Sequence, residues 1–282
     1  MTMRSAGSVL SILGLALLCA GQALSNETLP MTPREFHSRS PRIGFHMPML
    51  FGDNSTVIAP KLDLDWPLGA SHLAFHLPMA SLSPEHGDDT FALGNPTLEA
   101  SYRGCTAGRN DICFGANLGL GFGIWELDHD ADLLPTAAAR WGGILGHQGL
   151  LYYLQESLVI RPMFVLALHS HNLFFESQLG CEIEIPAYDT DVRDVEAYLA
   201  FQIGAGILIQ GLFAPMVQLR GMTAMSDTDW SGLFESAFWL NLGFRLETRY
   251  VQPFLRLGIG LDHDAEFDDS RFQLELGTAL TF

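Results

Sequence analysis

Charged and apolar side chains alternate along much of this sequence. Asp63 and Asp65 flank Leu64, and Glu182 and Glu184 flank Ile183. In an extended strand this period of two puts the charges on one face and the apolar groups on the other. Acidic and basic groups that share an enclosed face either pair with one another or line a wet, selective passage, and the sequence leaves both open. The candidates for this polar face are Asp63, Asp65, Glu99, Arg103, Arg161, Glu176, Glu182, Arg220, Arg245, Arg256, Arg271 and Glu275.

A second acidic group lies between the alternating segments. The tripeptide Asp-His-Asp occurs twice, at 128–130 and at 262–264. Carboxylate oxygens are the ligands that Ca²⁺ and Mg²⁺ prefer, but the spacing is not that of an EF-hand loop. Two hypotheses remain: loosely bound divalent cations at Asp128, Asp130, Asp262 and Asp264, or a solvated acidic rim. We expect no other cofactor.

Two functional classes are disfavoured. The formal charge of −17 and the lack of a basic patch argue against nucleic acid as a partner. A hydrolase would need a nucleophile and its base on one face of a strand. His169 and Ser170 are adjacent and therefore point to opposite faces, so a lipid-modifying enzyme ranks last among the functions considered.

Two cysteines lie close together in the sequence, and an exported protein can form disulfides in the periplasm. Cys105 and Cys113 flank a short turn, and a disulfide between them is one of two open possibilities. Cys181 falls on an apolar face, where it would pack as a small hydrophobic residue.

The elements that position these residues are short alternating segments. We count twelve, each bounded by polar or glycine-rich breaks. They lie at about 42–51, 62–66, 73–79, 98–103, 114–124, 157–168, 173–185, 199–207, 213–222, 238–245, 255–261 and 271–282. An even number of strands lets both ends of a closed sheet lie on the same side of a membrane.

The two termini indicate export and membrane insertion. Arg4 precedes a short apolar stretch at 9–20 and small residues, which is typical of a secretory signal peptide spanning 1–25. The last eight residues, ending in Phe282, place Gly277, Leu280 and Phe282 in a pattern that resembles the assembly signal of Gram-negative outer-membrane β-barrels. That resemblance implies recognition by the barrel-assembly machinery.

Together these observations predict an all-β protein. We expect a single transmembrane antiparallel β-barrel of about 12 strands over 42–282, with short periplasmic turns and longer extracellular loops. Residues 26–41 would form a short periplasmic N-terminal segment. The expected location is the cell outer membrane of a Gram-negative bacterium, with outer-membrane lipid and lipopolysaccharide as partners. The oligomeric state stays open.

The break at 126–156 is too long for a simple connection. Its apolar, glycine-rich middle, around 141–151, would be unfavourable in water. The fifth segment offers cover, because its inward positions are glycines at 115, 119, 121 and 123. We therefore predict that the apolar part of the 126–156 break folds into the barrel and narrows its lumen.

A local motif adds a family resemblance. Gly94-Asn95-Pro96-Thr97-Leu98, followed by Tyr102-Arg103, is similar to a stretch in outer-membrane transporters associated with phenol meta-pathway genes. The resemblance implies transport but no particular solute. The favoured function is a passive channel for a small solute. In such a channel we expect Arg245, Arg256 and Arg271 to face Glu99, Glu176 and Glu182 across the lumen. The alternative is a non-conducting anchor whose acidic loops bind cations, lipopolysaccharide or a partner.

The terminal motif yields a prediction about assembly. Deleting Phe282, or replacing it with Asp, should impair insertion into the outer membrane while export across the inner membrane continues. The measurement is the fraction of heat-modifiable, folded protein in the outer-membrane pool. An undiminished folded fraction after the deletion would contradict the motif.

Overall fold

The computed structural model describes most of the chain from residue 40 onward. The described residues are 40–52, 55–85, 89–106, 110–123, 143–144, 146–153, 157–186, 195–225, 236–261 and 272–282. Within these ranges, no helix has the length and apolar character needed to cross a membrane. The proposed signal peptide, Arg271 and the acidic loop residues Asp128, Asp130, Asp262 and Asp264 lie outside the described residues.

Fourteen strands make up the described structure. They are β1 (Arg42–Phe51), β2 (Ser55–Ile58), β3 (Lys61–Leu68), β4 (Ser71–Pro84), β5 (Thr90–Leu93), β6 (Thr97–Cys105), β7 (Asn110–Phe122), β8 (Ser157–Ser170), β9 (Leu173–Pro186), β10 (Glu196–Ile207), β11 (Phe213–Ala224), β12 (Ser236–Leu246), β13 (Val251–Gly260) and β14 (Phe272–Thr281). A single 3₁₀ turn, η1, spans Leu150–Tyr152.

These strands form a closed antiparallel barrel. Each pairs with its neighbours in the chain, and β14 pairs with β1 over ten positions, from Arg42–Thr281 to Phe51–Phe272. β2 and β3 both pair with β1 and β4, so they are two parts of one wall strand. β5 and β6 divide another wall strand in the same way along β4. The wall therefore has twelve strands, which confirms the predicted fold class.

Alternate residues face opposite environments. On β7 Phe114 is 60% exposed while Asn117 is 3% exposed, and on β12 Leu242 is 49% exposed while Asn241 is fully buried. Large exposed apolar side chains occur on every long wall strand. A continuous apolar belt of this kind is suited to lipid and not to water.

Two wall strands are interrupted at neighbouring places. Ala59 and Pro60 separate β2 from β3, and residues 94–96 separate β5 from β6. Both breaks border β4 and are hydrogen-bonded to it. Met79 N–H donates to the Pro60 carbonyl at 2.8 Å, and Gly94 N–H donates to the Pro78 carbonyl at 2.9 Å. The sequence analysis missed the short parts β2 and β5, because proline and asparagine at the breaks indicated loops. Residues 94–96 therefore lie within a wall strand rather than after a loop.

The facing of β7 gives a quantitative prediction. Leu118→Lys places a charge near the middle of the lipid-facing surface and should destabilise the barrel by roughly 2–4 kcal/mol. Ile112→Lys lies on the same face of the same strand but near its end, so it should cost only about 0–1 kcal/mol. Urea unfolding of protein refolded in lipid vesicles measures both. Equal destabilisation by the two variants would contradict the assigned depth and facing.

The barrel lumen as candidate functional site

The interior of the barrel is polar around its whole circumference. Every one of the twelve wall strands contributes at least one buried polar side chain. One representative from each wall strand, in order around the barrel, is His46, Asp63, His76, Glu99, Asn117, Arg161, Glu182, Gln202, Arg220, Asn241, Arg256 and Glu275. Strand alternation imposes this arrangement, because each apolar residue that faces lipid leaves its neighbours facing inward.

Eleven of the twelve candidate residues named from the sequence are described, and all eleven are buried in the barrel. They are Asp63, Asp65, Glu99, Arg103, Arg161, Glu176, Glu182, Arg220, Arg245, Arg256 and Glu275. The interior also holds groups that the sequence analysis did not single out: His46, Lys61, His76, Gln202 and Gln218. The sequence could have indicated them, because each lies at an inward-facing position of the alternating pattern.

Ion pairs connect neighbouring wall strands on one side of the lumen. Arg161 on β8 bonds Glu99 on β6, and its Nη1 lies 3.4 Å from Glu182 Oε1 on β9. Gly119 on β7 stands between Glu99 and Arg161 in the strand register. The missing side chain at Gly119 lets the arginine reach across β7.

The same chain of charges continues around the barrel. His76 Nε2 lies 3.7 Å from Glu99, and its Nδ1 lies 2.6 Å from Asp63. His46 sits between two carboxylates, 2.8 Å from Asp63 and 3.1 Å from Glu275. Arg256 Nη2 then lies 2.5 Å from Glu275. We call this set the charged arc: Glu182, Arg161, Glu99, His76, Asp63, His46, Glu275 and Arg256.

The charged arc corrects one expectation. Opposed ladders across the lumen would have paired Arg245, Arg256 and Arg271 with Glu99, Glu176 and Glu182. Instead, Arg256 pairs with Glu275 directly opposite it on the adjacent strand. Glu99 and Glu182 both bind Arg161. Adjacent strands bring side chains closer than opposite walls do, so lateral pairing prevails.

A segment of the long connection between β7 and β8 fills the middle of the lumen. We call residues 143–144 and 146–153 the lumen segment; helical conformation at 143–144 and 146–147 is followed by η1. Ile144, Leu151, Tyr152 and Tyr153 are all buried there. They pack with inward apolar residues of the wall, among them Leu50, in one cluster. The predicted inward folding therefore holds for these residues; Trp141 lies outside the described residues.

The lumen segment is hydrogen-bonded to the wall at the two strand breaks. His147 Nε2 lies 2.9 Å from the carbonyl of Ala59 at the first break. At the second, Asn95 N–H donates to the Tyr152 carbonyl at 2.5 Å. Between them, the Tyr153 hydroxyl donates to the Met79 carbonyl at 2.5 Å. Backbone groups that leave the sheet ladder thus find partners in the segment.

Glycines in the wall make this close approach possible. A Cβ at Gly94 would lie 2.5 Å from the Tyr152 carbonyl oxygen, and one at Gly121 would overlap the Leu151 carbonyl oxygen. At Gly119 it would lie 2.9 Å from the Leu151 side chain. Leu151 therefore rests on the glycine face of β7, where the sequence indicated free space.

Further contacts join the lumen segment to the polar lining. Gln148 Nε2 donates to Gln273 Oε1 at 2.9 Å and to Asn241 Oδ1 at 3.3 Å. The Gly146 carbonyl accepts from Gln273 Nε2 at 2.5 Å and from Arg256 Nη2 at 3.4 Å.

Tyr152 is the contact between the segment and the charged side chains. Lys61 Nζ lies 4.8 Å from the centroid of its ring, and the His76 ring meets it edge-on at 5.7 Å. The ring face attracts the lysine cation, and the edge-on arrangement of the two rings is a favoured aromatic contact.

Two other predictions have plain outcomes. The structure contains the Cys105–Cys113 disulfide, which joins opposite positions of the paired strands β6 and β7, and Cys181 is a free thiol. His169 is buried in the lumen and Ser170 follows it on the opposite face of β8. No group of three or more histidine, cysteine, aspartate or glutamate side chains within the described residues is arranged to hold a metal ion.

Comparisons with known proteins identify the fold. The sequence matches no protein-family model and no curated protein sequence. Among solved structures, the COG4313 outer membrane channel from Pseudomonas putida F1 superposes with a TM-score of 0.62 at 14% identity, over 90% of this chain and 100% of that one. The NanC porin gives 0.52 at 10% identity, over 85% and 98%. LpxR from Salmonella typhimurium gives 0.48 at 10% identity, over 86% and 100%.

These likenesses establish the architecture of the chain and name no solute for it. The closed twelve-stranded wall, the lipid-facing belt and the neighbouring structures agree on one class. The chain is an outer-membrane β-barrel protein of the Gram-negative type.

Proposed function

We propose that this barrel is a channel for a small solute and that the lumen segment is its gate. The observation that carries the proposal is the polar lining contributed by all twelve wall strands. A barrel that served only as an anchor could fill its interior with apolar side chains. Replacing buried ion pairs by well-packed apolar groups is often neutral or stabilising, so folding alone does not require this lining.

The way the lumen is closed also supports a gate. Eight strands give an interior that side chains alone can fill, whereas twelve leave more room. Here part of that volume is occupied by the lumen segment, residues 143–144 and 146–153, which packs against inward wall side chains such as Leu50 and Trp239. Most of the hydrogen bonds named above between the lumen segment and the wall are to backbone groups or amide side chains. Such contacts can be exchanged for water when the segment moves.

The comparison with a channel is consistent with this proposal. The solved structure with a TM-score of 0.62 is described as an outer membrane channel, and the one with 0.52 as a porin. Sequence identities of 14% and 10% carry the fold to this chain. The polar lining of the lumen is what supports passage of a solute.

A second candidate is favoured by a specific observation. Leu151 and Tyr152 are fully buried, so the lumen is closed at their level in this conformation. A permanently closed barrel would be a non-conducting anchor whose extracellular loops bind cations, lipopolysaccharide or a partner. The two functions differ in whether the segment moves.

A reversible cross-link separates the gate from the anchor. A Cβ built on Gly146 lies 3.5 Å from Ala59 Cβ, which is within the range for a disulfide. We expect the double variant Gly146→Cys/Ala59→Cys, in a Cys181→Ala background, to conduct in planar bilayers only after reduction. Oxidation should hold the segment against the wall and abolish the current.

Two controls make this test specific. The Cys181→Ala parent keeps the native Cys105–Cys113 disulfide and should respond to neither reagent. The single variant Gly146→Cys reports any effect of the side chain alone. An equal current through the oxidised and the reduced double variant would contradict gating by this segment. If neither the parent nor the reduced double variant conducts, the anchor is favoured.

A further inference from the structure

His147 is the side chain of the lumen segment whose charge can change near neutral pH. It is buried, with only 1% of its surface exposed. Its Nε2 lies 2.9 Å from the carbonyl oxygen of Ala59, at the first strand break. A carbonyl oxygen only accepts hydrogen bonds, so Nε2 carries the proton in this contact. The ring therefore ties the segment to the wall as a hydrogen-bond donor.

The other ring nitrogen, Nδ1, has no such contact. It is buried and has no hydrogen-bond partner among the residues that the structure describes. The Tyr153 ring stacks on His147 at 5.9 Å between centroids, and the Tyr152 ring meets it edge-on at 5.4 Å. A proton on Nδ1 would create a second N–H with no acceptor. The face of Tyr153 attracts a cation only weakly compared with the water that a buried imidazolium loses.

Charged groups of the wall oppose a proton on His147 or are already engaged. The titratable and charged groups that lie around His147 and the adjoining Gly146 and Tyr152 are His46 on β1, Lys61 and Asp63 on β3, His76 on β4, Arg256 on β13 and Glu275 on β14. Asp63 lies 3.4 Å from Lys61 Nζ and 2.6 Å from His76 Nδ1. Glu275 lies 2.5 Å from Arg256 Nη2 and 3.1 Å from His46 Nδ1. Both carboxylates therefore have cationic or hydrogen-bonding partners, and Lys61 repels a further positive charge.

We propose that His147 makes the lumen segment a proton-sensitive gate, in which protonation of the ring releases the segment from Ala59 and opens the lumen as the pH falls. The inference rests on the proposed channel function and names the regulation of the same gate. A hydrated histidine binds its proton below about pH 6.5, whereas the seat between the two tyrosines disfavours it. The closed form is therefore fully stable above that pH and loses stability below it.

The histidines of the charged arc respond to acid in the opposite sense. His46 lies between Asp63 and Glu275, and His76 lies between Asp63 and Glu99. A proton on either ring strengthens its contacts with two carboxylates. Protonation of His46 or His76 therefore holds the arc together, and the release is assigned to His147.

Single-channel recordings of the refolded full chain at about pH 7 and about pH 5 test the proposal, because aspartate and glutamate stay charged in that range. We expect the ratio of open to closed time to rise roughly tenfold or more at the lower pH. In His147→Gln the amide N–H still reaches for the Ala59 carbonyl but binds no proton, so the ratio should be nearly the same at both pH values. No rise in the unmodified protein, or an equal rise in His147→Gln, would overturn the proposal.

A fixed charge gives an independent test. His147→Lys should be open at both pH values, because its ammonium needs water as the protonated ring does. His147→Met has a neutral side chain of similar reach and should open less than His147→Lys at neutral pH. Equal opening of these two variants would contradict a role for charge.

A second histidine provides the matched control. His72 on β4 is also buried in the lumen, but its ring lies 3.3 Å from Asp65 and is tied to the wall. His72→Gln should keep the pH response of the unmodified protein. Loss of the response in His72→Gln as well as in His147→Gln would assign it to the barrel as a whole and overturn the proposal.

Hydrogen exchange separates the gate from the channel. Peptides that cover 146–153 report release of the segment without requiring a current, once the intrinsic effect of pH on exchange is corrected. Faster exchange at the lower pH in the unmodified protein but not in His147→Gln, with no current at either pH, would refute the channel and leave the proton-sensitive segment. Openings that increase equally in both proteins, with unchanged exchange, would refute the role of His147 and leave the channel.

Discussion

Backbone hydrogen bonding in lipid is the constraint on which the whole structure depends. No water reaches the lipid-facing wall, so every N–H and C=O there needs a protein partner. The pairing of β14 with β1 meets this requirement by removing both sheet edges. Closure of the sheet gives the wall an outer face toward lipid and an inner face toward the lumen. Polar side chains that alternate with the lipid-facing residues therefore lie on the inner face.

The two strand breaks follow from the same constraint. Irregular backbone at membrane depth is tolerated where protein covers it. At Ala59 and Asn95 the lumen segment provides that cover, through His147 and the Tyr152 carbonyl. Wall and segment are therefore mutually dependent. If the segment were absent, polar backbone groups at the breaks would lose these partners and would need water in their place.

Much of the wall could be predicted from the sequence, because alternation with a period of two indicates which residues share a face of a strand. The facing of Asn117 against Leu118, and the free space at Gly119 and Gly121, were readable in this way. The lateral pairing of Arg256 with Glu275 was not, because parity gives the face of a residue but not its register with the next strand. The attachment of the segment at Ala59 and Asn95 was also hidden, since it joins residues separated by 88 positions in one case.

A single-channel recording from the unmodified protein in a planar bilayer tests the proposed gate most directly. If the lumen segment closes a polar passage and leaves it at intervals, the recording will show discrete openings from a closed baseline. A current that never opens, from protein shown to be folded and inserted, would contradict the channel. A constantly open current would contradict closure by the segment.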